Sequence, residues 1–214
     1  MDPTMLHVLN ELAAAQSTGT QQTMGAITHF LNYCSTHPDS SITYHASDMI
    51  LHLHSDASYL TAPKARSRVG GPFYLGNQPD QSNLQPNGPI LAFAKVIKAI
   101  VSSAAEAEVG DFSNYCKEAV PLRTILAEMG HIQPATPVQV NNSTAVVIAN
   151  TTCKQVRSKA IDMRFYWVQD YVDQQQFHIF WAPGITNYGN YYTKHHPIHH
   201  HQTWRPSILN TQPL

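Results

Sequence analysis

Charge is what this sequence has least of. Charged residues make up 13% of its 214 residues, thirteen basic against fourteen acidic, for a formal net charge of −1. With no global field of either sign, any attraction to nucleic acid has to rest on local patches. Cysteine is scarce too: Cys34, Cys116 and Cys153 are odd in number and far apart. That excludes a disulfide framework and implies reduced thiols. No apolar run reaches transmembrane length, and the opening MDPTMLHVLNEL lacks the form of a signal peptide. The expectation is a cytoplasmic or nuclear protein with no membrane partner. Apolar residues, by contrast, are plentiful: at 43% of the chain they suffice for one core of ordinary size.

The apolar pattern changes period along the chain. Residues 1–45 read as a helical lead-in. LNELAAAQ is a short amphipathic piece, broken at Ser17-Thr18-Gly19. In TQQTMGAITHFLNYCSTHPD, the residues Met24, Ile27, Phe30, Leu31 and Cys34 share one helical face. Pro38-Asp39 ends it. Alternation then takes over in SDMILHLHSDAS, in VGGPFYLGN and in NGPILAFAKVI, three strands joined by turns. Residues 102–130 read as a long helix, capped by Ser102 or Ser103, stopped by Gly130 and interrupted by Pro121. TPVQVNNSTAVVIAN predicts a short strand entering a helix, SKAIDMRFYWVQDYVDQQQ a second long helix, QFHIFWAP a strand and NYGNYYTK a short helix. The predicted fold is α/β: an antiparallel three-strand meander extended by parallel strands into one mixed five-stranded sheet, with helices packed on it. A His- and Pro-rich stretch, residues 195–214, reads as a poorly ordered tail beyond the domain of residues 46–194.

Because acids are scarce, their positions are informative. LHLHSDASY, residues 51–59, ends a strand in a lone carboxylate, Asp56. Glu106 and Glu108 lie at the start of the long helix, where the helix dipole alone favours an acid. At i and i+2 they cannot share a face, so at most one of them points toward Asp56.

HSDASYLTAPKARSRVGGPFYLG, SSAAEAEVG, NNSTAVVIAN, SKAIDMRFYWVQDYV and NYYTKHH follow one another in this order. Together, over roughly residues 48–200, they resemble the ribonuclease H domain of Ty/copia-type LTR retrotransposon polyproteins. The lead-in, with ITHFLNYCSTHPD, resembles the segment joining the reverse transcriptase to that domain. The resemblance implies a ribonuclease H-like fold, a piece of a longer polyprotein whose polymerase lies outside this chain, and an RNA/DNA hybrid as partner. It implies two-metal hydrolysis, in which four carboxylates hold two Mg²⁺ ions about 3.5–4 Å apart. Asp56 then matches the aspartate that bridges both ions, and Glu108 the helix ligand.

The other two acids of the family pattern are absent. Where the pattern runs Thr-Asp-Asn-Ser-Thr-Ala, this chain has VNNSTA, with Asn141 at the acid position. Where it runs Ala-Asp-Tyr-Phe-Thr-Lys, this chain has GNYYTK, with Asn190 there. An amide carbonyl ligates without formal charge, and Mg²⁺ gives up its water reluctantly. With two carboxylates in place of four, the expectation is a weakened Mg²⁺ site (Mn²⁺ being the other candidate) and lost or impaired cleavage. The alternatives are a non-catalytic nucleic-acid-binding module and a decayed fragment without activity. Asp111, one helical turn beyond Glu108, lies roughly on its face and is a weak candidate for compensation.

Two basic groups flank the expected site: Lys64, Arg66 and Arg68, and Lys154, Arg157 and Lys159. They suit phosphate contacts, though solvated loops carry such residues as well. His52, His54 and Asp56 share a strand face by their period of two, and are expected on the less buried side of the sheet rather than as a metal site. KHHPIHHH could bind metal weakly, as any His-rich tract can.

Overall fold

A computed structural model describes residues 2–78, 86–97, 101, 103–150 and 159–211. The helical lead-in comprises α1 (Leu6–Ala14) and α2 (Gln21–Thr36), the latter opened by a capping box between Thr20 and Thr23. The sheet follows with β1 (Ile50–His54), β2 (Asp56–Ala62), β3 (Arg66–Gly76) and β4 (Pro89–Val96). The long helix α3 (Ala104–Glu128) starts at Ser103, whose hydroxyl accepts from the Glu106 N–H, and continues through Pro121. After it come β5 (Thr136–Val140), α4 (Ser143–Asn150), α5 (Lys159–Asp173), β6 (Phe177–Trp181), α6 (Gly189–Thr193) and α7 (Ile198–Ile208).

β1 and β2 are one strand line interrupted at Ser55. Both pair antiparallel with β3, Leu53 opposite Phe73 and Asp56 opposite Gly70. β4 pairs antiparallel along the other edge of β3. β5 lies parallel beside β1, and β6 parallel beside β5. The sheet order is therefore β4, β3, β1/β2, β5, β6: the mixed, five-line, ribonuclease H-like arrangement expected from the sequence. The break at Ser55 has a local cause. Its N–H donates to Gln139 O (2.9 Å) and its carbonyl accepts from Asn187 Nδ2 (2.8 Å), which turns that peptide toward β5 and α6.

β1 is buried on both faces, so its alternation separates two cores rather than core from solvent. Leu51 and Leu53 face the main core with Phe73, Phe112, Val138, Val140, Phe177 and Ile179, beneath α3, α4 and α5. Each such side chain contributes roughly 1.5–3 kcal/mol by leaving water. His52 and His54 take the other face and are buried there, not on a wetter side as expected. His52 Nε2 lies 2.9 Å from Asn77 O, and His54 Nε2 lies 2.7 Å from the Tyr74 hydroxyl. That face is covered by a second cluster, in which Tyr191, Tyr192 and Ile208 pack with Ala94, Leu6 and Trp204.

The lid over this face is the stretch expected to be a loose tail. α7 begins after Pro197, whose fixed φ suits a helix start, and Ile208 and Leu209 are buried. Arg205 anchors it by pairing with the buried Asp2 (2.9 Å). The helical face foreseen in the lead-in behaves in the opposite way. α2 buries none of its residues, and Met24 and Leu31 are more than half exposed. No described helix is long and apolar enough to cross a membrane. Cys34 and Cys116 are free thiols, and Cys153 lies outside the described residues.

Candidate functional site

Asp56 opens β2 immediately after the break at Ser55 and is fully buried. α6 is pressed against it. A Cβ on Gly189 would come within 2.7 Å of Asp56 N, so only glycine lets the helix sit this close. Asn187 holds the approach, donating to Ser55 O while its own side-chain oxygen accepts from the Gly189 N–H (2.8 Å).

Among the described residues, the side chains that hydrogen-bond or ion-pair with the Asp56 carboxylate are donors. Oδ1 accepts from Asn141 Nδ2 at 2.7 Å. Oδ2 accepts from the Thr193 hydroxyl and lies 3.3 Å from Lys194 Nζ. Lys194, 42% exposed, also donates to Asn190 Oδ1. Asn190 Nδ2 donates to Gly184 O, and a Cβ on Gly184 would stand 3.0 Å from that nitrogen and 3.5 Å from Asn141 Nδ2. Asp56, Asn141 and Asn190, far apart in sequence, thus converge at one end of the sheet with an ammonium among them. Thr193 and Lys194 were missed as site members at the sequence level. Their signal was their place in NYYTK, three and four residues after Asn190, one turn along the helix.

Glu108 reaches the same place from α3. It is buried, accepts a hydrogen bond from the Ala57 N–H, and its Oε2 has no hydrogen-bond partner among the described residues. Burial first, and the negative charge of Asp56 second, push its carboxyl up to about 8; the Ala57 hydrogen bond and the Lys194 charge pull the other way. The Glu108 carboxyl is therefore held protonated well beyond the usual carboxylate range. The Lys194 ammonium stands beside the two acids. The side chain of Asp111 lies outside those described.

This acid gives stability a pH dependence. Its ordinary value is 4.5 and its folded value about 8. Between the two, the folded chain holds a proton that the unfolded chain has lost, so stability falls as pH rises through that window. The full effect is up to about 5 kcal/mol. His54, driven down to about 3 by burial, acts in the other direction, costing stability as pH falls below 6.5. Glu108→Gln keeps the shape and stays neutral, so the difference between wild type and variant isolates Glu108. Urea unfolding at about pH 5, 6.5 and 8 should show wild type losing several kcal/mol relative to the variant. Parallel curves would remove the buried neutral acid.

The basic residues part company. Lys64 is exposed in the turn joining β2 to β3, and Arg66 is half-buried at the start of β3. Arg68 is buried, its Nη2 2.7 Å from Glu11 Oε1 of α1. Lys154 and Arg157 lie outside the described residues; Lys159 is the first residue of α5, and its side chain lies outside them too. The half-exposed ring of Trp181, at the end of β6, was not singled out by the sequence. Its Nε1 donates to Asn141 O (3.1 Å), which sets the indole beside the cluster.

His196 stands at the edge of the Asp56 cluster, its Nε2 3.1 Å from Asn190 O, but among the described residues no metal-competent group of three acids, imidazoles or thiols includes Asp56. Among the described residues, the group of three side chains whose ligand atoms could share a metal is His7, Glu11 and His195, at the junction of α1 with the segment after α6.

No family model matches this sequence. Among curated proteins, it is 27% identical over 92 residues to the Retrovirus-related Pol polyprotein from transposon TNT 1-94 of Nicotiana tabacum. That match covers 43% of this chain and 7% of the polyprotein. Among solved structures, the chain is similar to the N-terminal RNase H domain of Rv2228c from Mycobacterium tuberculosis, with TM-score 0.46, 14% identity, and 68% of this chain and 91% of that one covered. It is similar to LC11-RNase H1, isolated from compost by a metagenomic approach, with TM-score 0.49, 9% identity and coverage of 68% and 93%. It is also similar to RNase H1 of Halobacterium salinarum, with TM-score 0.46, 12% identity and coverage of 67% and 94%.

Proposed function

We propose that this chain is a ribonuclease H-like, non-catalytic nucleic-acid-binding module that descends from a Ty/copia-type Pol polyprotein. One observation carries the reading: the polar neighbours of Asp56 are the amide of Asn141, the hydroxyl of Thr193 and the ammonium of Lys194, where a metal centre needs anionic oxygens. The partial likeness to the tobacco polyprotein supports the descent.

The donor set does not fit a pair of Mg²⁺ ions. Two such ions carry four positive charges, and Asp56 with Glu108 supplies two negative ones only when both are ionised. Burial and Asp56 itself oppose the second ionisation. Lys194 adds a positive charge in the same place. For the same reason the ancestral reaction, cleavage of the RNA strand of a hybrid, is read as lost.

Binding needs less than catalysis: exposed cations for phosphates and an aromatic face for a base. The exposed Lys64, the half-buried Arg66 beside it and the half-exposed Trp181 supply these groups. The test is fluorescence anisotropy with a labelled RNA/DNA hybrid over a salt series. Wild type should bind with an affinity that falls as salt rises. Lys64→Gln/Arg66→Gln should weaken binding and lower the slope against log salt by roughly two. Equal binding and slope for the two proteins would defeat the interface. Mg²⁺- or Mn²⁺-dependent cleavage that disappears in Asp56→Ala would instead establish a working, weakened enzyme.

A further inference from the structure

His7 and Glu11 lie one turn apart on α1, and His195 comes from the segment that follows α6. The ligand atoms of the three side chains all lie within 4.8 Å of one another. Glu11 stands between the imidazoles: its Oε2 is 2.8 Å from His195 Nε2, and its Oε1 is 3.8 Å from His7 Nε2. The two rings meet edge to face, 4.6 Å between centroids.

The buried imidazole is the telling member. His7 Nδ1 lies 3.1 Å from Tyr192 O. A carbonyl only accepts, so Nδ1 carries the proton and Nε2 of the neutral ring is a bare lone pair. That nitrogen is buried and has no hydrogen-bond partner among the described residues. An unsatisfied buried acceptor is costly, about 1–3 kcal/mol, unless something occupies it. A backbone carbonyl fixing Nδ1–H while Nε2 points at a carboxylate and a second imidazole is how proteins prepare a histidine for a metal. Desolvation also holds His7 below its usual range, which keeps the ring neutral.

We propose that His7 Nε2, Glu11 and His195 Nε2 form a Zn²⁺ site that ties the lead-in helix α1 to the domain. Two imidazoles and one carboxylate are a zinc donor set, with water completing the tetrahedron. Zinc–ligand bonds of about 2.0–2.1 Å place tetrahedral ligand atoms about 3.3 Å apart. Closing the present triangle to that size takes a movement of up to about 1.5 Å, within reach of the exposed His195. His195 then carries its proton on Nδ1 toward solvent. Arg68 stays on Glu11 Oε1 and orients the carboxylate, leaving Oε2 for the ion. This site is separate from the Asp56 cluster, and it stands or falls independently of the nucleic-acid reading.

The experiment is titration of the full chain with Zn²⁺, by calorimetry and by thermal melting, with Co²⁺ absorption as a report of tetrahedral ligation. Wild type should bind one ion tightly, raise its Tm with Zn²⁺ and give tetrahedral Co²⁺ bands. His195→Ala, at a position 69% exposed and safe for the fold, should bind at least about tenfold more weakly and lose both the melting shift and the bands. Glu11→Gln should behave likewise. His199→Gln/His200→Gln, which disturbs only the histidine run on α7, should bind as wild type does. Undiminished binding by His195→Ala, loss confined to the α7 variant, or no binding by wild type would each overturn the proposal.

Discussion

Asn141→Asp/Asn190→Asp is expected to give this chain two properties that the wild type lacks: a Mg²⁺-dependent stability and a Mg²⁺-dependent cleavage of RNA/DNA hybrids. The argument is electrostatic. Asn141 Nδ2 donates to Asp56 Oδ1 at 2.7 Å. Replacing that amide by a carboxylate sets two anionic oxygens at hydrogen-bond distance with no proton between them, in a site where Asp56 is fully buried. Without a divalent ion the double variant should be destabilised by a few kcal/mol, as a buried like-charge pair requires. Mg²⁺ should reverse this, because four carboxylates now match the charge of two ions. Its Tm should rise with Mg²⁺ concentration, while that of wild type stays flat. Recovering only about 3 kcal/mol of transition-state stabilisation corresponds to roughly a hundredfold in rate. The check is thermal melting and cleavage of a labelled hybrid, each with and without Mg²⁺, for wild type and double variant side by side. If the double variant ignores Mg²⁺ in both assays, the amides are not what disables the site.

Gly71→Ala should cost the chain its fold, or on the order of 3 kcal/mol or more, a large share of the roughly 5–15 kcal/mol that stabilises a domain. A Cβ at Gly71 would stand 1.8 Å from His54 O and 2.9 Å from His54 C. Those are backbone atoms of the central strand and cannot swing aside as a flexible side chain can. β3 would have to separate from β1 at the point where the strand line turns into Ser55 and Asp56. The variant should therefore damage core and site together. Gly25→Ala serves as its control, since nothing lies within 4 Å of a Cβ there. In an exposed stretch of α2 that change removes a helix-disfavouring residue and should be neutral or stabilising by up to about 1 kcal/mol. Chemical denaturation followed by circular dichroism separates the two. A Gly71→Ala protein as stable as wild type would mean that β1 and β3 do not approach in this way.

The order and type of the sheet elements were legible in the sequence, because strand alternation and turn residues are local properties. ILHLHSD, VGGPFYL and PILAFAKV announce strands without help from the rest of the chain. So does the start of α3 at Ser103, whose hydroxyl needs only the N–H three residues on. The positions of Asp56, Glu108, Asn141 and Asn190 followed from blocks read in sequence order. Other features lay beyond periodicity. The stripe Met24, Ile27, Phe30, Leu31 and Cys34 is amphipathic on paper, yet amphipathicity does not name the partner that covers it, and α2 buries none of these residues. Conversely, KHHPIHHH looked like solvent-loving tail, and only the pairing of Arg205 with Asp2 and the burial of Ile208 make it a lid.

Composition and periodicity by themselves determined the class of fold, one core and a mixed sheet, while the resemblance to ribonuclease H blocks pointed to two carboxylates and two amides as the groups of the site. Tertiary structure alone decided the state of those groups. Whether His54 and Glu108 are charged depends on how much of each is shut off from water, and that is set by α6, α7 and α3 closing over the sheet. That Lys194 would lie 3.3 Å from Asp56, and that His7 would meet Glu11 and His195, depended on chain segments more than a hundred residues apart arriving at the same place. Propensity acts over a few residues, whereas desolvation and Coulomb forces act through space, and distances through space exist only once the chain has folded.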